Sequence, residues 1–463
     1  MLPTRSTITR HGFQPCRRWV SKTVNNKQDK LHFQIKPKLD YAFLTSNKAI
    51  MTQNMSNRKY NKIDMDKFSQ LYQKRLEVYN QLKGLNTMRN DISLIIKKTA
   101  AGSERQGLIE KGKTIKAKVK STEDQLKQIE ADLLIKGLLI PNTTHPKAPI
   151  GSEENARTLK TVGIQRIEEN LKDHIQITTE LNILDLEQAA ITSGSSFYYL
   201  QGMGAFLELA LINYAMHKAA SKGFFGVLTP DIVRTSIAYG CGFQPRADEH
   251  SQIYDIRSSN EPLCLAGTAE IPLAGKFADK TLLETQLPQK LVGFGHAFRT
   301  EDGGRGQEPK GLYRVHQFSK VELFAVTTPE QSEEMMEEIR MIQEEMFTEL
   351  GLCFRVLDMP TEELGASAYR KYDIEAWMPG RKNWGEISST SNCTDYQSRR
   401  LGIRYRQAHN ENQQIFCHTL NGTAIAVPRV IIALLETFQQ KDGSVLIPNV
   451  LRKWLPGEPE YLK

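Results

Sequence analysis

Apolar residues recur at every seventh position over two stretches near the amino terminus, and further apolar residues fill the alternate seam positions. The first stretch contains Leu71, Val78, Leu85 and Ile92 with Phe68, Leu82 and Ile96; the second contains Ile115, Val119, Leu126, Ile129 and Leu133. The pattern predicts one helix over about 64–98 and a return helix that ends before Pro141. A short Gly/Ser turn at 100–103 between them predicts an antiparallel coiled-coil hairpin.

The pattern changes after this hairpin. Residues 140–151 are rich in proline and glycine and predict an irregular linker. A helical pattern begins near Gly204 and leads into a short strand that stops at Pro230. Residues 298–322 then indicate a strand, a glycine-rich cationic turn and a second strand, and an apolar helix follows Arg429. A second, larger domain of strands and helices is therefore expected.

Composition limits the class of protein. The chain has 463 residues, of which 40% are hydrophobic and 25% are charged, which suits a folded protein with two domains. The net charge of +8 favours association with polyanions, nucleic acid first among them. No apolar stretch approaches the roughly 18 residues of a membrane-spanning helix, so no membrane association is expected.

The six cysteines are dispersed and form no Cys-x-x-Cys pair. Such spacing favours buried thiols in a reducing compartment over a disulfide framework, and we expect no zinc site. Cys393 lies within a motif described below, where a small core residue is the expected role.

The first 28 residues contain six arginines and lysines and no acidic residue. This composition is typical of a mitochondrial transit peptide and predicts the mitochondrial matrix as the location; a basic tail that contacts RNA is the alternative. We divide the chain into a targeting leader (1–37), a coiled-coil arm with its linker (38–155) and a second, larger domain (156–463), which the resemblance given below implies to be catalytic.

The tip of the predicted hairpin is basic. Nine lysines and arginines lie between residues 97 and 127, against four acidic residues. Lysines on a helix exterior commonly form a solvated surface without a partner, and that alternative stays open. An arm that projects from the body could instead hold the phosphates of an RNA. Lys113, Lys116 and Lys120 are the candidates for that contact.

Two arginines flank the glycine-rich turn of the second domain, Arg299 and Arg314. The planar guanidinium group binds a phosphate or carboxylate through two parallel hydrogen bonds and stays charged at any working pH. The hairpin thus indicates an anion site, although any basic hairpin would show a similar composition.

Several motifs occur in the same order as in one family. Residues 204–230, 298–322 and 421–436 resemble motifs 1, 2 and 3 of the bacterial-type seryl-tRNA synthetases, which are class II aminoacyl-tRNA synthetases. Residues 371–380 and 391–400 resemble seryl-specific signatures of that family. The resemblance extends from about residue 38 onward and includes the arm, which in this family grasps the long variable arm of the tRNA.

This resemblance implies an α+β fold, with the helical arm followed by an antiparallel sheet surrounded by helices. It also implies a homodimer formed through motif 1. The implied reaction joins L-serine and ATP into seryl-adenylate, with Mg²⁺, and then transfers the seryl group to tRNA(Ser). Two anions must be held together for the first step, so fixed cations and positioning would supply most of the catalysis.

Residue roles follow from the same resemblance. The catalytic residues would be Arg299, Glu386 and Arg429, and Mg²⁺ would be held by Glu386 and Ser389. The residues that bind ATP would be Arg299, Thr300, Glu301, Val315, Phe318, Glu386, Ile387, Ser388, Ser389 and Arg429. The residues that bind serine would be Thr268, Ala269, Glu270, Arg299, Glu322, Asn421 and Thr423. A buried partner for the serine hydroxyl would exclude alanine, because that partner would be left without a hydrogen bond.

Two departures from the family pattern are present: Pro428 stands where glycine is common, and Thr390 where cysteine is frequent. Neither removes a charge that the chemistry needs. Three alternative functions each require a feature that differs from this sequence. A paralogue that no longer charges tRNA should lack the arm or the serine pocket, a threonyl or prolyl enzyme would not combine these motifs with this arm, and a zinc-dependent seryl enzyme needs ligands that are not apparent.

Overall fold

The computed structural model describes residues 35–243, 252–257, 261–301 and 311–463. The predicted leader lies almost entirely outside these residues. The helices within them are α1 Tyr41–Ser46, α2 Lys48–Asn57, α3 Met65–Lys98, α4 Ser103–Leu138, α5 His174–Glu180, α6 Glu187–Ser193, α7 Met203–Ser221, α8 Thr235–Gly240, α9 Glu270–Gly275, α10 Ser332–Glu349, α11 Tyr396–Leu401, α12 Val427–Phe438 and α13 Asn449–Arg452, with 3₁₀ helices at Glu153–Asn155, Glu284–Gln286 and Thr361–Glu363.

The strands are named in the same way, in chain order. They are β1 Arg157–Val162, β2 Leu184–Asp185, β3 Tyr199–Leu200, β4 Phe225–Leu228, β5 Ile232–Arg234, β6 Asp255–Ile256, β7 Leu263–Leu265, β8 Thr281–Leu283, β9 Gln289–Phe298, β10 Gln317–Thr327, β11 Phe354–Asp358, β12 Arg370–Met378, β13 Asn383–Asn392, β14 Arg404–Gln407, β15 Asn410–Phe416, β16 His418–Ala426, β17 Val445–Leu446 and β18 Tyr461–Leu462.

The predicted helical hairpin is present as α3 and α4. Asp64 caps α3 by accepting hydrogen bonds from the backbone of Asp66 and Lys67, and Lys97 and Lys98 end it where cations suit the helix dipole. The seam residues predicted from the seven-residue spacing are buried or half-buried. Near the tip, a Cβ atom placed at Gly112 would lie 3.7 Å from Cγ2 of Ile92, so the two helices are close there.

The base of the arm is attached to the rest of the protein. Met51 and Met55 of α2 share an apolar cluster with Phe68 of α3 and Leu133 of α4. Beyond the hairpin, the side-chain amide of Asn142 donates hydrogen bonds to the backbone carbonyls of Ser367 and Cys393. The irregular linker predicted over 140–151 is therefore irregular in backbone but fixed in position.

In the described part of the chain, eight strands form one sheet in the order β1-β11-β12-β13-β16-β10-β9-β4. Neighbouring strands are antiparallel, as predicted, except that the edge strand β4 runs parallel to β9. The strands β9 and β10, which flank the glycine-rich turn, pair over ten residues with Gln317 opposite Phe298. The α+β fold predicted from the resemblance is confirmed.

Helices α7, α10 and α12 pack against one face of this sheet. Their apolar residues join alternate residues of the strands, such as Leu323 of β10 and Ile374 of β12, in the largest buried cluster. The residues between those alternates, such as Glu322 and Asp373, point to the opposite face. That second face carries the polar residues described next.

Two further properties concern the described residues. The five cysteines among them are free and buried, as their spacing predicted. Within the same ranges, no helix has the length and apolar character needed to cross a membrane.

Candidate active site

A cleft lies on the face of the sheet opposite α7, α10 and α12. Strands β10, β13 and β16, the start of α12 and the segment before β10 form its walls. The residues predicted from the sequence that line this cleft are Arg299, Glu301, Val315, Phe318, Glu386, Ile387, Ser388, Ser389, Thr423 and Arg429. The fold therefore brings together residues that are up to 130 positions apart in the sequence.

Arg299 lies directly after β9, at the floor of the cleft. Its backbone amide donates to the carbonyl of His316, and its Nε donates to the carbonyl of Gly267 at 3.3 Å. The guanidinium carbon lies 5.4 Å from the centre of the Phe318 ring. Burial lowers the pKa of Arg299, and the nearby charge of Arg429 lowers it further. A buried cation in this position favours an anionic ligand.

Arg429 enters the cleft from the first turn of α12, where Pro428 occupies a position that needs no backbone donor. Its Nη1 donates to the carboxylate of Glu386 at 3.0 Å, and its Nε donates to the carbonyl of Tyr313 at 3.1 Å. Burial alone would raise the pKa of Glu386, but Arg429, Lys371 and Arg299 together lower it to about 2. Glu386 is consequently ionised at any working pH.

Glu386 and Ser389 are the residues proposed to hold magnesium. Both line the cleft, and Ser389 lies opposite Asp373 in the pairing of β13 with β12. Among the described residues, no group of three His, Cys, Asp or Glu side chains converges as a metal site. One carboxylate and one hydroxyl fit a Mg²⁺ ion that takes its other oxygen ligands from phosphates and water.

A second group of polar residues adjoins the cleft. Lys320 and Glu322 of β10 form an ion pair of 2.7 Å, and both contact the hydroxyl of Thr268, Lys320 at 3.1 Å and Glu322 at 3.2 Å. These three side chains are buried. Thr423 lies opposite Glu322 in the pairing of β16 with β10. The arrangement brings a hydroxyl group, a carboxylate and an ammonium group together in a buried polar cluster beside the cleft.

Glu270 closes the same region at the start of α9, directly after the buried Ala269. One of its carboxylate oxygens accepts hydrogen bonds from Gln397 at 2.6 Å and from Asn421 at 2.9 Å. Burial raises the pKa of Glu270 to about 7, and the charge of Glu322 also raises it. A buried carboxylate with this pKa is suited to meet an ammonium group.

The structure adds residues that the sequence did not single out. Lys320 and Gln397 contact the predicted serine-binding residues, and Tyr313 lines the cleft. All three lie within residues 298–322 or 391–400, which resemble family motifs, so position in a motif was the available signal. Arg314, which the basic hairpin had indicated together with Arg299, also lines the cleft and forms an ion pair of 3.0 Å with Glu301. Thr300 lies beside the cleft but is not among the described residues that line it.

The three candidate lysines of the arm lie on the exposed surface of α4, far along the chain from the cleft residues. Lys113, Lys116 and Lys120 are exposed and lie within about one quarter of the helix circumference, given the 100° turn per residue. Lys113 also forms an exposed ion pair of 2.7 Å with Glu110. The geometry is compatible with a continuous basic stripe.

Comparison with known proteins identifies two families. Residues 254–438 match the model of the tRNA synthetase class II core domain (G, H, P, S and T), and residues 39–144 match the model of the seryl-tRNA synthetase N-terminal domain. The chain is 45% identical to a serine–tRNA ligase of Treponema denticola over 89% of this chain and 97% of that one. It is 43% identical to the mitochondrial serine–tRNA ligase of Schizosaccharomyces pombe over 92% and 89% of the two chains.

Solved structures show the same similarity. The seryl-tRNA synthetase of Pyrococcus horikoshii, complexed with ATP, superposes with a TM-score of 0.84 and 34% identity over 92% of this chain and 99% of that one. The cytoplasmic serine–tRNA ligase of Naegleria fowleri, in complex with AMP, superposes with a TM-score of 0.80 and 29% identity over the same shares.

Proposed function

The chain belongs to the class II seryl-tRNA synthetases, and on that basis we propose that it charges mitochondrial tRNA(Ser) through a seryl-adenylate formed in the cleft described above. Serine–tRNA ligase activity and the use of ATP follow from the family. The location, the adenylate step and the residue roles are the proposal. The observation that supports the adenylate step and the residue roles is the junction of one cleft, lined by Arg299, Glu386 and Arg429, with the pocket of Thr268 and Glu322.

Adenylate formation requires an oxygen of the serine carboxylate to attack the α-phosphorus of ATP, while the bond to the departing pyrophosphate breaks. Arg299 holds the carboxylate and the α-phosphate together, and Arg429 neutralises the outer phosphates at the amino terminus of α12. Glu386 and Ser389 would hold Mg²⁺, which would offset the phosphate charge. Phe318 stacks on the adenine ring, and Glu301 contacts the nucleotide beside it.

Serine is selected by hydrogen bonding and by volume. Glu322, with Thr268 beside it, accepts the hydrogen bond of the serine hydroxyl, so alanine would leave a buried carboxylate without that donor. Glu270, fixed by Gln397 and Asn421, meets the ammonium group of the amino acid. In the second step, the terminal ribose hydroxyl of the tRNA attacks the seryl carbonyl carbon and AMP leaves.

Amino-acid-dependent exchange of pyrophosphate into ATP tests this assignment. Serine should support exchange, and threonine and alanine should not. Arg299→Ala should reduce the serine-dependent rate by at least about a hundredfold, because a buried charge that acts on the transition state is lost. Exchange driven by alanine or threonine instead of serine, or an undiminished rate in Arg299→Ala, would contradict the proposal.

The mitochondrial assignment rests on the acid-free basic composition of the first 28 residues and on the similarity to a mitochondrial relative. Bacterial relatives are equally similar. Import of the full chain into isolated, energised mitochondria should yield a protease-protected product. A chain that lacks residues 1–37 should stay outside. Equal import of both chains would leave the leader without the proposed role.

A further inference from the structure

We propose that Arg381, which is not itself among the described residues that line the cleft but stacks on one of them, binds the β- and γ-phosphates of ATP as a cation additional to those that the sequence predicted. The inference rests on the proposed function and deepens it. Arg381 lies in the turn between β12 and β13, outside both seryl signatures, and nothing in its local sequence marks it. Four observations of the structure point to this role.

The first observation is the position of the Arg381 side chain. Its guanidinium carbon lies 3.8 Å from the centre of the Tyr313 ring, and the guanidinium carbon of Arg429 lies 4.7 Å from the same centre. Tyr313 lines the cleft. Arg381 thus shares the Tyr313 ring with Arg429, the residue proposed to neutralise the outer phosphates.

The second observation is the fixed position of the shared ring. A Cβ atom at Gly385 would lie 2.9 Å from Cε2 of Tyr313 and 2.7 Å from the methyl carbon of Met378. Only glycine therefore allows the phenol ring to approach β13 this closely. The ring forms a rigid platform, on which an arginine side chain can stack without losing its hydrogen-bond donors.

The third observation concerns charge. Arg429 has a carboxylate partner in Glu386. The Arg381 side chain forms no ion pair with any residue in the described ranges, and its Nη1 is buried there without a hydrogen-bond acceptor. A buried donor without an acceptor is costly, and a charged one more so. An anion in the cleft would supply the acceptor that this part of the protein lacks.

The fourth observation is the way in which the turn is held. The carboxylate of Glu436, fully buried in α12, accepts hydrogen bonds from the backbone amides of Gly380 at 2.9 Å and Arg381 at 3.0 Å. The same helix carries Arg429 two turns earlier. Because one helix positions both arginines, their separation is set in advance, which is the preorganisation that binding of a polyphosphate requires.

A purely structural role is the competing explanation, since Arg381 could simply clamp Tyr313. The two explanations differ in the ligand that they affect. Loss of a contact with the outer phosphates weakens the binding of ATP but not the binding of AMP, because AMP lacks those phosphates. If Arg381 only fixes the position of Tyr313, its loss weakens the binding of both nucleotides.

The test uses the full chain with Arg381→Gln, which removes the charge and keeps most of the stem. Lys382→Gln, one residue along the same turn and exposed, is the matched control because it removes the same charge. Binding of ATP and of AMP is measured by calorimetry with Mg²⁺ and without serine. We expect Arg381→Gln to weaken the affinity for ATP about tenfold or more and the affinity for AMP less than about twofold. The loss for ATP is the size expected when one charge-assisted hydrogen-bonding group is removed. Lys382→Gln should change neither.

Arg381→Lys keeps the charge and should recover part of the ATP affinity. Equal losses for ATP and AMP, or no loss for ATP, would overturn the assignment. Retention of AMP binding shows at the same time that the variant is folded. A wild-type chain without serine-dependent exchange would contradict the proposed function itself, whereas a wild-type chain with normal exchange and an unaffected Arg381→Gln would contradict only this inference.

Discussion

We expect Glu270, a single buried carboxyl group, to couple serine binding to pH. Burial and the neighbouring charge of Glu322 raise its pKa to about 7, so the group is increasingly protonated as the pH falls below that value. Only the ionised form can neutralise the ammonium group of serine. We therefore expect kcat/KM for serine, measured by pyrophosphate exchange at subsaturating serine, to fall about tenfold per pH unit below about pH 7.

The control for this prediction is Glu270→Gln, which keeps the shape of the side chain and one oxygen to accept the hydrogen bonds from Gln397 and Asn421 but cannot ionise. Its kcat/KM should be low and should vary little between pH 5.5 and 7, a range chosen around the pKa of about 7. Glu386 should not contribute to the profile in that range, because its pKa is held at about 2. A wild-type profile that stays flat down to pH 5.5 would exclude Glu270 as the ammonium partner.

The residues that the sequence predicted and those it missed differ in a physical respect. Arg299, Glu322 and Arg429 carry charges that the chemistry itself demands, so the reaction identifies them once the motifs are recognised. Lys320 and Gln397 act by contact with other side chains, and those contacts depend on strand register and on the packing of α11 against the sheet. A linear sequence does not contain that information without the fold.

The arm formed by α3 and α4 is the element expected to bind tRNA. Conversion of Lys113, Lys116 and Lys120 to alanine removes three exposed charges from one side of its distal half. We expect tRNA affinity to fall about tenfold or more at low salt, and the slope of log K against log salt to decrease by up to about 2, since counterion release scales with the number of phosphates contacted. Serine-dependent pyrophosphate exchange, which needs no tRNA, should not change.

The matched control removes three exposed lysines from the proximal half of the same hairpin, Lys67, Lys74 and Lys136. This variant has the same net charge as the distal one. If both variants lose the same affinity and the same salt dependence, the effect belongs to the overall charge of the chain, and the distal lysines form a solvated surface as the alternative holds.

Elements differ in how far their own sequence determines them. The seven-residue spacing predicted α3 and α4 to within a few residues, because each apolar stripe is buried against its neighbour in the same hairpin. The central sheet was predicted from the family resemblance and not from periodicity. The parallel pairing of β4 with β9 could not be predicted from the sequence of either strand. The paired residues are more than 60 positions apart in the chain, and tertiary packing determines which strands pair.

At the scale of the whole molecule, the sheet has an edge strand, β4, that no other strand of the described residues pairs with on its outer side. Strand β4 pairs only with β9 among the described residues, and its Phe225 and Leu228 are 69% and 81% exposed. Phe206 and Leu209 of α7 are also exposed. An edge strand with large apolar side chains is a surface on which a second chain can pack. The region coincides with motif 1, through which the resemblance implies a homodimer.

Substitution of both Phe225 and Leu228 by aspartate should therefore convert a dimer into monomers. Each interface would have to bury four new carboxylates, so we expect the dissociation constant to rise about a hundredfold or more. Sedimentation velocity over a range of concentrations measures this directly. Ile164→Asp is the control, because Ile164 is 92% exposed but follows β1 at the opposite edge of the sheet. A double variant that sediments with the wild-type mass would place any dimer contact on another surface, and a monomeric wild type would exclude the homodimer altogether.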